Sequence, residues 1–350
     1  MHEPKNVRLI VSGLGNIGAR FIAILNAKQA HLRTKYGLVL QVVGAADSRG
    51  TAADPAGLDL STILQLKEQR QSVSAYPVAG QIGGSPLELV EQTDAGPRAC
   101  PVVLCEATPV NLDHGEPGLS CIRAALRKGM HVVTANKGPL VLAYDELLTK
   151  ASEQGVELRF CGTVAGGLPA INLGQRDLAG ATIDRLEALP NLTTSFILAQ
   201  MAKGHSYEQA LAAAQAQGCA EADPALDVEG WDAAVKLVIL ANSVLGTPAT
   251  LSSVSVQGIT ALTQADLERA NAKGQVIKLV ASAVREGENY CLSVAPTALP
   301  QTHPLAKLSG QQMGIVYYTD IYGVIEAAIT ETEPVPSAAT LLRDILGIVA

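Results

Sequence analysis

The pattern between residues 7 and 32 constrains the fold more than any other feature of the chain. An apolar run, Val7 to Ser12, ends in Gly13-Leu14-Gly15-Asn16-Ile17-Gly18, and from Asn16 to about Leu32 the residues Ile17, Phe21, Ile24 and Leu25 fall on one helical face. Glycines at this G-x-G-x-x-G spacing allow a tight turn from strand to helix. They also let a pyrophosphate approach the helix N-terminus, whose unpaired N–H groups favour an anion. An ordinary glycine turn is the plainer alternative. The strand before it and the helix after it supply the context that nucleotide binding requires, so Gly13, Gly15, Asn16, Ile17 and Gly18 are candidate cofactor residues.

A second apolar run, Leu38 to Ala46, ends at Asp47. Runs at Val102–Cys105 and His131–Val133 then alternate with helix-like stretches near Ser120–Lys128 and Ala143–Gln154. This βαβα rhythm predicts a parallel sheet. Hydrophobic residues make up 48% of the chain and aromatics only 3%, so the core rests on Ala, Val, Leu and Ile. After Gly155 the pattern changes to a strand-like Val156–Phe160, a Gly-rich turn at Gly162–Gly167 and a strand-like Ile183–Leu189. Ser206 with Gln209 is a capping-box signature ahead of an Ala-rich stretch, and a long apolar helix is expected over Trp231–Leu245. Mostly strands are expected from Val254 to Ile329, then an amphipathic helix over Ala338–Leu346. The 350 residues are thus expected to form two α/β domains. One is a Rossmann-type doubly wound parallel sheet over 1–150, with about 320–350 returning to it; the other is an α+β substrate-binding and dimerisation domain over 151–319.

A formal charge of -7 offers no cationic surface to neutralise phosphates, which argues against nucleic acid or an anionic membrane as partner. Cys100, Cys105, Cys121, Cys161, Cys219 and Cys291 include no C-x-x-C pair and no Cys/His cluster of zinc spacing, so they are expected as reduced thiols. No apolar stretch reaches the roughly 18 residues that span a bilayer, and Met1-His2-Glu3-Pro4-Lys5 lacks a secretory pattern. A cytoplasmic protein acting on a small molecule, as a homodimer or higher homo-oligomer, is the expectation.

Four places carry chemistry. Asp47, ending the second strand, can accept hydrogen bonds from ribose hydroxyls, which favours NAD; Arg49 can instead pair with the 2′-phosphate of NADP; or both merely cap a loop. Lys137 follows the strand His131–Val133 at the carboxyl edge, where open α/β sheets place ligands, although a solvated lysine is the plain alternative. Thr108, Pro109 and Asn136 are further candidates for that cofactor edge. Asp232 and Lys236 are the only charged residues between Gly230 and Gly246, four apart on one helical face. A surface ion pair is the ordinary explanation, but desolvating two charges in an apolar helix points to a polar cleft. Upstream, Glu221, Asp223, Asp227 and Glu229 either hold a substrate ammonium group or form a solvated acidic loop.

The run Gly218-Cys219-Ala220-Glu221-Ala222-Asp223-Pro224, then Asp227 and Gly230-Trp231-Asp232 through Lys236, resembles the substrate-binding signature of homoserine dehydrogenases. The glycine turn, Thr134–Lys137, Thr163–Pro169 and Asn191–Ile197 are similar too. The resemblance implies that Lys137 and Lys236 are acid/base lysines, that Asp232 sits by the substrate hydroxyl, and that Glu221 and Asp227 hold its amino and polar groups. It further implies that Thr163 to Gly167 binds the substrate carboxylate, with Thr163 and Gly166 as contacts, and that carbonyls of Val164 and Gly166 hold a monovalent cation. The implied reaction is hydride transfer between homoserine and aspartate semialdehyde with NAD, NADP not being excluded.

The chain departs from the family pattern at Cys161-Gly162, where Glu-Ala is common, and at Leu192 and Ser195, where Gly and Asn are usual. It departs again at Ile329–Glu333, which takes the place of a glycine-rich loop. These departures motivate two alternatives: a relative acting on another hydroxy or amino acid in preference to homoserine, and a non-catalytic dinucleotide-binding protein.

Overall fold

The computed structural model describes residues 4–97 and 99–350. Met1, His2 and Glu3, part of the start read above for a leader, lie outside the described residues. The chain forms two compact units: Met1–Gly167 with Glu333–Ala350, and Leu168–Thr332.

The first unit runs β1 (Lys5–Ser12), α1 (Asn16–Tyr36), β2 (Leu38–Asp47), β3 (Gly50–Ala53), α2 (Leu60–Glu68), β4 (Gly80–Ile82), α3 (Pro86–Gln92), β5 (Val102–Glu106), α4 (Gly118–Arg127), β6 (His131–Thr134), α5 (Lys137–Gln154) and β7 (Leu158–Arg159). Its sheet has the order β4-β3-β2-β1-β5-β6-β7. β2, β1, β5, β6 and β7 are mutually parallel; β3 and β4 turn back antiparallel. Every residue of β5 is buried, as expected of a strand covered on both faces. The chain leaves β1 for β2 on one side and later returns to β5 on the other. The carboxyl ends of β1 and β5 therefore flank the switch point where such sheets bind ligands.

The second unit runs α6 (Ala170–Asn172), β8 (Ile183–Leu189), α7 (Leu192–Met201), α8 (Tyr207–Ala216), α9 (Ala225–Val228), α10 (Trp231–Ser243), β9 (Val254–Val256), α11 (Gln264–Ala272), β10 (Gln275–Glu286), β11 (Asn289–Pro300), β12 (Gln312–Thr319) and β13 (Gly323–Thr330). The sheet order is β13-β12-β8-β10-β11-β9, antiparallel except for β11 with β9. The capping box at Ser206 and Gln209 forms as expected. The last helix, α12 (Val335–Val349), belongs to the first unit, where Ala338, Leu341, Ile345 and Val349 join the core of β1, α1 and β2.

The boundaries at 150 and about 320 are corrected by strand pairing. β7 hydrogen-bonds to β6, which carries 151–167 into the first unit, and β13 pairs along its length with β12, which keeps residues up to 332 in the second. Two elements also differ from expectation. The strand at 156–160 shortens to Leu158–Arg159, and the supposedly strand-rich 254–329 contains α11. That helix buries only Leu267 and Ala270, too thin a stripe to register as helical periodicity, although its Thr263/Asp266 capping box was readable.

Candidate active site

The three glycines divide the work of the first turn. A Cβ at Gly13 would lie 2.5 Å from the Ala107 carbonyl carbon, and one at Gly18 would overlap the Gly13 carbonyl oxygen, so these two let β1, β5 and α1 close on one another. Gly13 also needs its φ of 93°, which few side chains tolerate. Gly15 faces open space: a Cβ there meets nothing within 4 Å. The first turn of α1, 21 residues long, has no side-chain cap and no acidic residue. Its nearest charge is Arg20, folded back onto Asn16. A cation at a helix N-terminus opposes the macrodipole and suits a bound anion.

Asp47, expected as a ribose contact, is engaged by the residues that follow it. Its carboxylate accepts from Lys67 Nζ at 2.6 Å, Ser72 Oγ at 2.7 Å, Val73 N at 2.9 Å and Arg49 N at 3.0 Å. Burial pushes its pKa up, but these donors, Lys67 foremost, override that and hold it at about 2. All four donors lie between residues 49 and 73, among them Lys67 of α2. Arg49 turns its guanidinium to the Arg70 carbonyl at 3.0 Å.

At the ends of β5 and β6 the structure reveals a residue that the sequence analysis passed over. Glu106 is fully buried; it accepts from Thr108 N at 2.8 Å, from Thr108 Oγ1, and from Thr134 Oγ1 at 3.0 Å. Asn136 donates to Thr108 Oγ1 at 3.3 Å and Pro109 O at 3.4 Å, and accepts from Gly138 N as the N-cap of α5. Asn136 is 1% exposed, and its amide is engaged on both sides. Lys137, assigned above to the end of a strand, is the first residue of α5 and is half-buried. Pro109 is exposed at the same edge.

Thr163 donates both its hydroxyl and its N–H to the Phe160 carbonyl, at 2.7 and 3.0 Å. Past it, Val164 is buried, and Ala165 and Gly166 take left-handed φ values of 53° and 57°.

In the second unit the sequence-predicted cluster assembles. Lys236 Nζ donates to Asp232 Oδ2 and to the Pro190 carbonyl, both at 2.6 Å, and the pair's side chains are 13% and 10% exposed. Asn191 N-caps α7 through its oxygen, while its amide nitrogen donates to Asp227 Oδ1 at 2.6 Å and Asp232 Oδ2 at 2.7 Å. One amide therefore holds two carboxylates in place. Thr193 ties the segment that follows α8 to α7, donating its hydroxyl to the Cys219 carbonyl at 2.7 Å. Glu221 stands outside this network, exposed, with its carbonyl accepting from Gln215.

A family model described as homoserine dehydrogenase matches residues 169–346. A model of the glutamate, leucine, phenylalanine and valine dehydrogenases matches 1–113. The homoserine dehydrogenase of Methanocaldococcus jannaschii is 36% identical over 97% of this chain and 98% of its own length. An NAD(+)-dependent homoserine dehydrogenase of Pseudomonas canavaninivorans is 33% identical over 97% of this chain and 96% of its own. The chain belongs to the homoserine dehydrogenase family. Among solved structures, a hyperthermophilic archaeal homoserine dehydrogenase mutant in complex with NADPH superposes with a TM-score of 0.84 at 27% identity, covering 98% of this chain and 97% of that one.

Within this family frame the first unit fits a nicotinamide dinucleotide. Gly15 leaves the space a diphosphate needs, the uncapped N-terminus of α1 supplies N–H groups, and Arg20 adds a positive charge. Asn191 and Glu106 are the residues sequence reasoning missed. The Asn191-x-x-Thr194 spacing of an N-cap was visible for the first, whereas nothing in an apolar run ending in Glu106 announces that the carboxylate turns inward.

Proposed function

We propose that the chain is an NAD(P)-dependent homoserine dehydrogenase, interconverting homoserine and aspartate semialdehyde. The observation that carries this reading is the Asp227–Asn191–Asp232–Lys236 network, whose Asp232 and Lys236 are the charged residues of the otherwise largely apolar helix α10. When bound, the dinucleotide accepts or supplies the hydride. The proton chemistry belongs to the protein. Lys236 and Lys137 take or return the proton at the substrate hydroxyl oxygen, and Asp232 fixes the direction of the Lys236 ammonium group. Asp227, with Glu221 as a second carboxylate, holds the substrate ammonium group.

Main-chain groups from Thr163 to Gly167 receive the substrate carboxylate. Carbonyls of Val164 and Gly166, hard oxygen donors, are the group to which a monovalent cation would bind. The fold supports a cytoplasmic role in that no helix of the described residues is long and apolar enough to cross a membrane. A homodimer or higher homo-oligomer is supported by the edge strand β13 and the turn before it, where Ile321, Tyr322 and Val324 are exposed.

The test is absorbance at 340 nm with homoserine and either dinucleotide, beside a panel of other hydroxy amino acids. Turnover with kcat/KM of at least about 10⁴ M⁻¹s⁻¹ for homoserine is the expected result. A panel member favoured over homoserine by tenfold or more would overturn the substrate assignment.

A further inference from the structure

The C-terminal helix carries three polar side chains that its packing into the core does not explain. Thr340, Arg343 and Asp344 are spaced i, i+3, i+4 and so share one face of α12. Thr340 is 2% exposed and Asp344 1%, yet neither contributes to the apolar cluster made by Ala338, Leu341 and Ile345. All three meet the segment Cys161–Gly167. Asp344 Oδ2 accepts from the Cys161 amide at 2.8 Å, and Arg343 Nη1 donates to the Gly167 carbonyl at 3.1 Å. Between those two points, a Cβ at Gly162 would overlap Thr340 Oγ1. The helix thus grips both ends of the segment and lies against it near the start.

What lies between the grips is the part of the loop with unusual backbone. Ala165 at φ 53° is a non-glycine residue in the left-handed region, which costs of order 1 kcal/mol or more and persists only where the surroundings impose it. The surroundings that hold both ends are those of α12. Asp344 is the most buried of the three, at 1% exposed. Burial raises its pKa above the usual carboxylate value, and the Cys161 thiol and N–H, with the charges of Arg343 and Arg159, oppose that rise, so part of its stabilisation comes from this loop. The pair Gly162 and Thr340 is matched in volume: the hydroxyl occupies the space that a methyl group on residue 162 would fill.

We infer that α12 is the positioning element of the Cys161–Gly167 loop, with Asp344 as its principal positioning residue and Gly162/Thr340 as a matched steric contact. Substrate affinity at the carboxylate end is therefore set from the C-terminal helix. The last clause rests on the assignment of this loop to the homoserine carboxylate. None of the three side chains is assigned contact with substrate; they act through the backbone they hold.

Two sets of variants test the inference in the full-length enzyme. Asp344→Ala removes the acceptor and Asp344→Asn keeps one. Gly162→Ala introduces the overlap, and Gly162→Ala with Thr340→Ala relieves it, since the remaining Thr340 Cβ position lies at an ordinary 3.5 Å. Displacing a positioning group by about an ångström costs up to roughly 100-fold, so Asp344→Ala and Gly162→Ala are each expected to raise KM for homoserine by about 10- to 100-fold. Asp344→Asn and the double variant should return it to within about threefold. KM for the dinucleotide should stay within the same threefold in all four variants.

Amide hydrogen exchange gives a second readout that needs no substrate. Exchange should accelerate from Cys161 to Gly167 in the two disruptive variants and recover in the two rescues. Unchanged exchange in Asp344→Ala overturns the inference, as does a parallel loss of stability and of both affinities that the rescues do not restore. Faster exchange with an unchanged homoserine KM overturns the link to the carboxylate. If the unmodified enzyme does not turn over homoserine, the functional reading fails instead, and the exchange pattern alone decides whether α12 positions the loop.

Discussion

Two acid–lysine pairs, Asp47–Lys67 and Asp232–Lys236, have the same 2.6 Å separation and nearly the same burial, and they do different things. Around Asp47 every donor comes from residues 49 to 73, the turn and hairpin that the carboxylate closes. Around Asp232 one partner is Lys236, a turn along the same helix α10, and the other is Asn191, the N-cap of α7, which also holds Asp227 of α9. The first pair is a staple, satisfied by its own loop. The second is a junction, where a pair one helical turn apart is joined through Asn191 to a carboxylate from another helix. Distance and burial are alike in the two pairs; the origin of their further partners is not.

The largest expected effect comes from cutting the junction. Lys236→Met should lower kcat by about 10²–10⁴-fold, the usual contribution of a positioned proton-transfer group, while leaving dinucleotide affinity unchanged. Unchanged turnover, measured under saturating substrate, would reduce Asp232–Lys236 to a second staple. Asn191 comes next. Asn191→Ser keeps an N-cap oxygen but removes the amide that joins Asp227 to Asp232, so kcat/KM for homoserine should fall by about 10- to 100-fold with a stability change of less than about 1 kcal/mol. A thermal melt alongside steady-state kinetics checks both, and a fall in stability without a kinetic loss would place Asn191 with the caps alone.

A smaller effect is expected at the glycine turn, where structure and function also part. Gly15 has φ -78° and no neighbour that a methyl group would strike, so Gly15→Ala should fold as stably as the unmodified chain. Its dinucleotide Kd should nevertheless rise by about tenfold, because the added methyl occupies the approach of the diphosphate. Fluorescence titration with NAD and with NADP checks this, and unchanged affinity for both would remove Gly15 from the cofactor site.

Much of the fold was legible because the chain's patterns are local. The run from Val7 through Gly18, the strand Ile183–Leu189 and the helix from Trp231 all declare themselves by periodicity and turn residues, and each is in the structure close to its expected bounds. The junction was half legible. Asp232 and Lys236 stand out as charges in an apolar helix, whereas Asn191 is an ordinary polar residue until the fold sets it between two carboxylates. At Asp47 the sequence shows a position and not the partners. A carboxylate at the end of β2 is where a ribose ligand belongs, and only the structure shows that Lys67 and Ser72, some 20 and 25 residues later, already occupy it.

That difference sets the last prediction. An acid that contacts the ribose would repel a 2′-phosphate, and Asp47→Ser would then shift preference toward NADP. A staple makes no such difference, so the ratio of kcat/KM for NAD to that for NADP should change by less than about threefold. The cost should appear as stability instead, about 2 kcal/mol at neutral pH, because Lys67 and two N–H groups lose a charged acceptor. The pH dependence carries the same signature. Asp47 has its folded pKa held at about 2, below the ordinary aspartate value of 3.8, so its contribution is fully present above the unfolded value and is lost as the pH falls from about 4 toward 2. Thermal melts of both proteins between pH 7 and pH 2.5 should therefore converge as the pH is lowered. A constant gap between them, or a tenfold swing in cofactor preference at pH 7, would move Asp47 back into the ribose site and make the two acid–lysine pairs alike after all.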